Sequence, residues 1–333
     1  MTIDTSLFRG ANILITGVTG SLGSALSREL LKPEYGVKRL AGLARKWQPM
    51  VELQRALNDA RFRPLIGDIT DSVRLDIAMR EVDFVWHCAA FKDQVLAQYE
   101  PRTVVSVNII GTMNVLHAAM EAGVKRVMFV SSDKATAPSG SYGASKLVGE
   151  ILSTAYNIYS GIDGTRFASC KYGNVFGSSG SVVPLFLSQR DSGVITITDG
   201  DMTRFWITME QAVGLVIRGM VEMVGGEVFV PHLPASNVFD LAKAIAPDAE
   251  IKLVGLRPGE KRNEMMISEN ESHRTEDIGW AYRIRPEQVF WDATAKFPAG
   301  SPVPNGWEYG SASAPRLTVE EIRSMLPSAN LQK

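Results

Sequence analysis

The sequence predicts an α/β protein: a Rossmann-type doubly wound parallel sheet with a smaller, mixed α/β C-terminal region. Three observations predict it. Apolar runs of strand length alternate with helix-periodic segments as far as about Ala168. A glycine-rich turn, Gly17-Val18-Thr19-Gly20-Ser21-Leu22-Gly23, joins the first such strand to the first helix. A polar cluster, Ser131-Ser132-Asp133-Lys134, stands where a later strand ends and a helix is about to begin. In open α/β sheets that edge is where ligands bind.

Ala11 to Thr16 reads as a buried first strand, and Ala25 to Leu30 as the start of a helix. Between them the glycines allow a tight turn, close approach of a pyrophosphate, and close helix–strand packing. Amides at the helix start favour phosphate. The second strand, Arg39 to Leu43, runs into Ala44-Arg45-Lys46. An NAD site usually places Asp or Glu here for the ribose 2′-hydroxyl, and none is present. Arg45 and Lys46 read either as a solvated turn or as partners of a 2′-phosphate, which points to NADP over NAD.

A third strand ends near Asp68 and Ile69, placed to flank an adenine, with loop capping as the other reading of Asp68. The fourth, Asp83 to Cys88, runs into Ala89 and Ala90, small enough for a cofactor to lie close. His87 reads as structural, and Lys92 stands at the same sheet edge. Asn108 interrupts an apolar helix. A buried amide needs partners, and Asn108 either supports Lys146 or is a satisfied core residue.

Arg126 to Val130 is the fifth strand, and it delivers Ser132, Asp133 and Lys134. Tyr142 and Lys146 follow at a spacing of four, on one helix face. A phenol titrates near ~10, and a neighbouring ammonium favours the phenolate. The pair is a base for an alcohol proton. Beyond about residue 170 the pattern turns loop-rich. Arg204 beside aromatics and Arg257 in a Pro-Gly turn suit a clamp on a diphosphate.

The division expected is residues 1–170 for the dinucleotide, with about 205–230 returning to that domain. Residues 171–204 and 231–290 form the substrate region, and 291–333 a tail with a short helix within Leu317–Leu326. Of 333 residues, 45% are hydrophobic and 21% charged, with a net charge of −1, so no global field draws nucleic acid. Cys88 and Cys170 form neither a disulfide framework nor a metal motif. Met1 to Thr5 is not a signal peptide, and no uninterrupted apolar run approaches the ~18 residues of a membrane span. A cytoplasmic setting is the default expectation.

From about Asn12 to Ser272 the chain resembles the extended short-chain dehydrogenase/reductases. More narrowly it resembles the inverting UDP-N-acetylglucosamine 4,6-dehydratases that begin pseudaminic acid synthesis. The carrying motifs are Ser132-Asp133-Lys134, Tyr142-Gly143-Ala144-Ser145-Lys146, Tyr172-Gly173-Asn174-Val175, Gly180-Ser181-Val182-Val183-Pro184, Met202-Thr203-Arg204-Phe205-Trp206 and Arg257-Pro258-Gly259-Glu260-Lys261. Lys134 stands where retaining dTDP-glucose-type enzymes carry Glu, and Tyr142 where membrane-bound retaining relatives usually carry Met. Asp93 and Lys171 depart from the subgroup's usual His and Arg.

The resemblance implies Ser132, Asp133, Lys134, Tyr142 and Lys146 as catalytic residues. It implies Lys92, Asn174, Val182, Val183, Pro184, Thr203, Arg204, Arg257 and Glu260 as contacts to a UDP-sugar, in a homo-oligomer without metal. A retaining dehydratase, a 4-epimerase, or a non-catalytic NADP-sensing module are the alternatives. An epimerase needs neither Asp133 nor Lys134, and a sensor could dispense with Tyr142 and Lys146.

Overall fold

The computed structural model describes residues 4–178 and 180–329. Six strands open the chain: β1 (Asn12–Thr16), β2 (Arg39–Ala44), β3 (Phe62–Ile66), β4 (Phe84–His87), β5 (Arg126–Val130) and β6 (Arg166–Cys170). They lie in the order β3-β2-β1-β4-β5-β6, all parallel. That reversal at β1 creates the crevice where doubly wound folds bind dinucleotides. Apart from the edge strand β3, their near-continuous burial is what a sheet covered on both faces requires.

Two cores follow. One face packs the helix Ser21–Leu30 and the helix Met209–Glu222 against Ile13, Ile15, Trp86 and Met128. The other packs Leu14, Val85, Val127 and Phe167 beneath helices that include Gly111–Glu121 and Ser141–Ser160.

The strand Val228–Pro231 extends the sheet in parallel beyond β6. Ala281–Ile284, Thr275–Asp277 and Ser301–Pro302 then add antiparallel strands, making ten. Residues 275–284 and 301–302 therefore belong to the main sheet, not to the substrate region or tail expected for them. The C-terminal region keeps its own small core, with Phe176, Val183, Phe186, Trp206 and Leu241. The helix Val319–Ala329 closes it through Ile322.

The crossover from β4 to β5 carries the helical run Pro101–Glu121, whose middle, Val105–Ile110, is a π-helical turn. By length and mean hydropathy this run is apolar enough to cross a membrane, although polar residues such as Ser106, Asn108 and Asn114 interrupt it. Half of that stretch is buried inside the protein, as a crossover helix of a covered sheet must be.

Candidate active site

A cavity of about 690 Å³ opens at the carboxyl ends of β1, β2, β4 and β5. One end is built by the glycine turn. Gly17 has φ +68°, and a Cβ there would stand 2.7 Å from the Ala89 backbone. A Cβ on Gly23 would stand 2.6 Å from the Gly17 carbonyl. No side chain caps the helix Ser21–Leu30, so its first amides face the cavity beside Thr19, Ser21 and Leu22. This is a cradle that fits a pyrophosphate.

Arg45, Lys46, Asp68 and Ile69 line the next stretch of wall, then Ala89, Ala90 and Lys92. Burial pulls the Lys92 ammonium below the usual lysine range. A wider groove of about 910 Å³, at Arg39, Arg63 and Arg80, lies at the amino ends of the strands, away from these groups.

The loop Ala89–Lys92 is held by one chain of hydrogen bonds. Thr112 donates to the Asn108 carbonyl at 2.7 Å, so His87 Nε2 donates to Thr112 at 3.0 Å. His87 Nδ1 then accepts from Thr16 at 2.6 Å, and the Thr16 hydroxyl accepts from the Ala89 amide at 3.3 Å. Burial and the Lys146 charge push His87 down to about 3, which keeps it neutral. Asn108 clamps both backbone groups of Phe91, at 2.7 and 2.9 Å, and donates to Ser145. Its amide is spent there and does not reach Lys146; it positions the loop and is not on the cavity wall.

Ser132, Lys134, Tyr142 and Lys146 meet at the reacting end of the cavity. Lys134 Nζ is 2.9 Å from Asp133 Oδ1 and 3.4 Å from Glu264 Oε1. Burial would neutralise this amine, but the two carboxylates outweigh it and hold it as an ammonium. Ser132 donates to Asp133 Oδ1 at 2.8 Å. Asp133 is fully buried behind Ser132 and Lys134, and its Oδ2 has no hydrogen-bond partner.

Burial raises the Tyr142 phenol, while Lys134 and the Ser132 hydroxyl pull the other way. The cation favouring its phenolate is thus Lys134, not the expected Lys146. Lys146 lies deeper, donating to the Val130 carbonyl with Nζ 4.2 Å from the Phe129 ring centroid. Burial pushes it down to about 8 against the opposing charge of Glu150.

Of the expected substrate contacts, Lys92, Asn174, Arg257 and Glu260 line the cavity. Asn174 Oδ1 and Ser181 Oγ are buried there without partners, so both are free to meet a polar ligand. Ser181 stands in the Gly180–Pro184 motif but is not among the expected substrate contacts.

Val182, Val183, Pro184, Thr203 and Arg204 do not line the cavity. Val183 is fully buried in the small core, and Val182 packs against it. Thr203 bonds Asn263 and Ser311, both at 2.7 Å. The Arg204 guanidinium is buried on the carbonyls of Thr203, Lys261 and Arg262. A clamp built from Arg204 and Arg257 is therefore corrected to Arg257 alone: an arginine committed to three carbonyls has few donors left for a diphosphate.

Sequence reasoning also missed two buried charge clusters. Glu264 meets Lys134, Arg204 and Lys261. Lys171 joins Glu150 and Glu271. Lys261 reaches back to the carbonyls of Thr136 and Ala137, the latter at φ +45°. Such strain persists only where surrounding bonds hold it.

A dinucleotide cradle, a tyrosine–lysine pair and a second acid–base pair on one cavity define a nicotinamide-dependent enzyme of nucleotide sugars. Comparison with known proteins agrees. The chain belongs to the family described as polysaccharide biosynthesis protein, which matches residues 13–286. It is 40% identical, over 95% of its length and 96% of the relative's, to a UDP-N-acetylglucosamine 4,6-dehydratase (inverting) of Campylobacter jejuni. It is 34% identical, over 96% of both chains, to a UDP-glucose 4-epimerase of Rickettsia bellii. Among solved structures, Pen from Bacillus thuringiensis superposes with a TM-score of 0.89 at 33% identity, covering 97% of this chain and 99% of that one.

The expectation of NADP is corrected. More distant structures of the same fold whose cofactor is named carry NAD. They include DesIV, a dTDP-glucose 4,6-dehydratase of Streptomyces venezuelae, at TM-score 0.65 and 24% identity over 75% of this chain and 86% of that one. They also include a UDP-glucose 4-epimerase of Thermus thermophilus, at TM-score 0.65 and 21% identity over 75% and 88%. In this structure the Arg45 guanidinium, one of the two cations read as a phosphate anchor, stands 3.7 Å from the Asp68 carboxylate.

Proposed function

We propose that this protein is a UDP-N-acetylglucosamine 4,6-dehydratase that inverts carbon 5. The observation that carries the reading is the Asp133–Lys134 pair, 2.9 Å apart beside Tyr142. Oxidation and re-reduction at one carbon need only the tyrosine. Elimination needs a further base and acid, and this pair is one proton transfer from being both.

The glycine turn and the first amides of the helix Ser21–Leu30 would hold the dinucleotide, with Lys146 and the Ala89–Lys92 loop beside its nicotinamide end. Bound there, it would supply the redox chemistry of the reaction, an acceptor for the carbon-4 hydride and a donor of hydride to carbon 6. Tyr142 takes the 4-hydroxyl proton, with Lys134 and Ser132 favouring its phenolate.

The 4-ketone then acidifies the hydrogen on carbon 5. The Lys134 ammonium passes one proton to Asp133, leaving a neutral amine. Asp133 hands that proton to Ser132 as Ser132 gives its own to the departing 6-hydroxyl, which leaves as water. Lys134 takes the carbon-5 hydrogen and is an ammonium again, so the residues end the elimination as they began. Asp133 acts through Ser132 because Ser132 lines the cavity and Asp133 does not. A proton from solvent, added to the opposite face of carbon 5 while Tyr142 releases the 4-hydroxyl proton to solvent, inverts that centre, giving UDP-2-acetamido-2,6-dideoxy-L-arabino-hexos-4-ulose. Arg257 supplies charge for the diphosphate, and Asn174 and Glu260 supply polar contacts.

NMR of the protein with UDP-N-acetylglucosamine in D₂O tests the reading. The expected product is a 4-keto-6-deoxy sugar, deuterated at carbon 5, with the L-arabino configuration. A D-xylo product would overturn the inversion, and a 4-epimer with its 6-hydroxyl intact would overturn the elimination.

A further inference from the structure

Glu264 lies on no motif singled out for chemistry, yet it is the most heavily charged contact point beside the site. It is 2% exposed. Its Oε1 is 3.4 Å from Lys134 and 3.9 Å from Arg204, and its Oε2 is 3.3 Å from Lys261. Its backbone is fixed too: Ser311 donates to its carbonyl at 2.8 Å, and its amide donates to the Ser311 hydroxyl at 2.9 Å. A carboxylate so held cannot follow Lys134 if that side chain moves, so it defines where the ammonium sits. We propose that Glu264 is the positioning residue that fixes Lys134 in the cavity wall and sets its protonation.

The charges facing Lys134 are Asp133 from its own turn, Glu264 and Arg204 from the C-terminal region, and the titratable Tyr142 from the helix Ser141–Ser160. Asp133 and Glu264 together outweigh Arg204, so the resting amine carries its proton. Against its burial, Lys134, Arg204 and then Lys261 keep Glu264 ionised, and the Lys261 ammonium is itself anchored on the carbonyls of Thr136 and Ala137.

The arrangement also links the site to its ligand. Glu264 ends a short segment whose front, Arg257 and Glu260, lines the cavity. Ser139 donates to the Gly259 carbonyl at 2.7 Å, so this segment is tied to the turn that follows Lys134. A sugar nucleotide on Arg257 therefore presses on the segment that carries the counter-charge of the base. This inference rests on the reaction read above for the role of Lys134, but not for its charge.

Competitive labelling with acetic anhydride, followed by peptide mass spectrometry, gives the titration midpoint of Lys134 without any turnover. In the wild-type protein Lys134 is expected to titrate above the exposed lysines; a midpoint among theirs overturns the proposal. Glu264→Gln is expected to lower the midpoint by about 1–3 pH units, and Glu264→Asp to restore most of that shift. Where Glu264→Gln alone does not fold, Glu264→Gln with Lys261→Gln removes both charges at nearly constant shape, and a smaller downward shift is expected. An unchanged midpoint in a folded variant overturns the proposal. The pH–rate limb that reports Lys134 should move in the same direction. If wild-type protein leaves UDP-N-acetylglucosamine unchanged, the reading of the reaction fails while the labelling still decides the role of Glu264.

Discussion

The Nζ of Lys171 lies 3.3 Å from Oε2 of Glu150, with no exposure to solvent. Glu150 belongs to the helix that carries Tyr142 and Lys146, one turn beyond Lys146. On its other side Lys171 reaches Glu271, 3.7 Å away in the C-terminal region, and donates to Thr136 at 2.8 Å. One buried cation thus pins the catalytic helix to the region that covers it. Removing one member of such a cluster leaves uncompensated charge, which costs about 3–5 kcal/mol. Lys171→Met should lose that much in urea unfolding, and adding Glu150→Leu should recover part of it.

Asp133→Asn keeps the shape of the site but removes the carboxylate proposed to take the Lys134 proton. Turnover should fall about 10²–10⁴-fold, while dinucleotide binding, followed by fluorescence, stays unchanged. Deuterium entry at carbon 5 should fall in parallel. Loss of binding instead would make Asp133 a structural residue.

Gly17→Ala places a methyl 2.7 Å from the Ala89 backbone at φ +68°. Overpacking of this kind costs about 1–3 kcal/mol, and the left-handed conformation adds about 1–2 more. The displaced neighbour is the loop that lines the cavity, so dinucleotide affinity should fall along with the melting temperature. A variant that melts early but binds normally would dissociate the turn from the cofactor.

His87 ties folding to pH. Its folded value is pushed down to about 3, from 6.5 when exposed. Between those values the unfolded chain binds the extra proton, so this contribution is complete above pH 6.5 and is lost as pH falls toward 3. At pH 4.5 the loss is about 2–3 kcal/mol. The stability difference between wild type and His87→Gln, from urea unfolding, should shrink by that amount between pH 7 and pH 4.5.

Much of the fold and half of the site were legible because their signals are local. The glycine turn needs its residues within one strand–turn–helix, and Tyr142 and Lys146 share a helix face by spacing alone. Arg204 was misread because its neighbours mark a ligand-rich motif, whereas its strand turns the side chain inward onto carbonyls. Val183 was misread for the same reason, a motif being blind to which face its residues take. Glu264 and Glu150 left no pattern at all, and Lys171 stood out only as a departure from an Arg, with nothing to place it in a buried cluster. Each is an ordinary charge in sequence, and becomes unusual only when helices, strands and loops distant in the chain close over it. Residues 275–284 escaped because an antiparallel strand added to the edge of a parallel sheet has no periodicity of its own to announce it.

The π-helical turn at Val105–Ile110 makes the length of this crossover a functional quantity. Such a turn holds one residue more than the α-helix around it would. Deleting that residue would preserve the helix, its hydrophobicity and both flanking strands. It would also close the wide turn into an α-helical one while the flanking helix keeps its phase, carrying Asn108, which lies inside that turn, off the Phe91 backbone that it clamps. The helix would survive the deletion and the cavity loop would not, so insertions and deletions here are felt in binding before they are felt in folding.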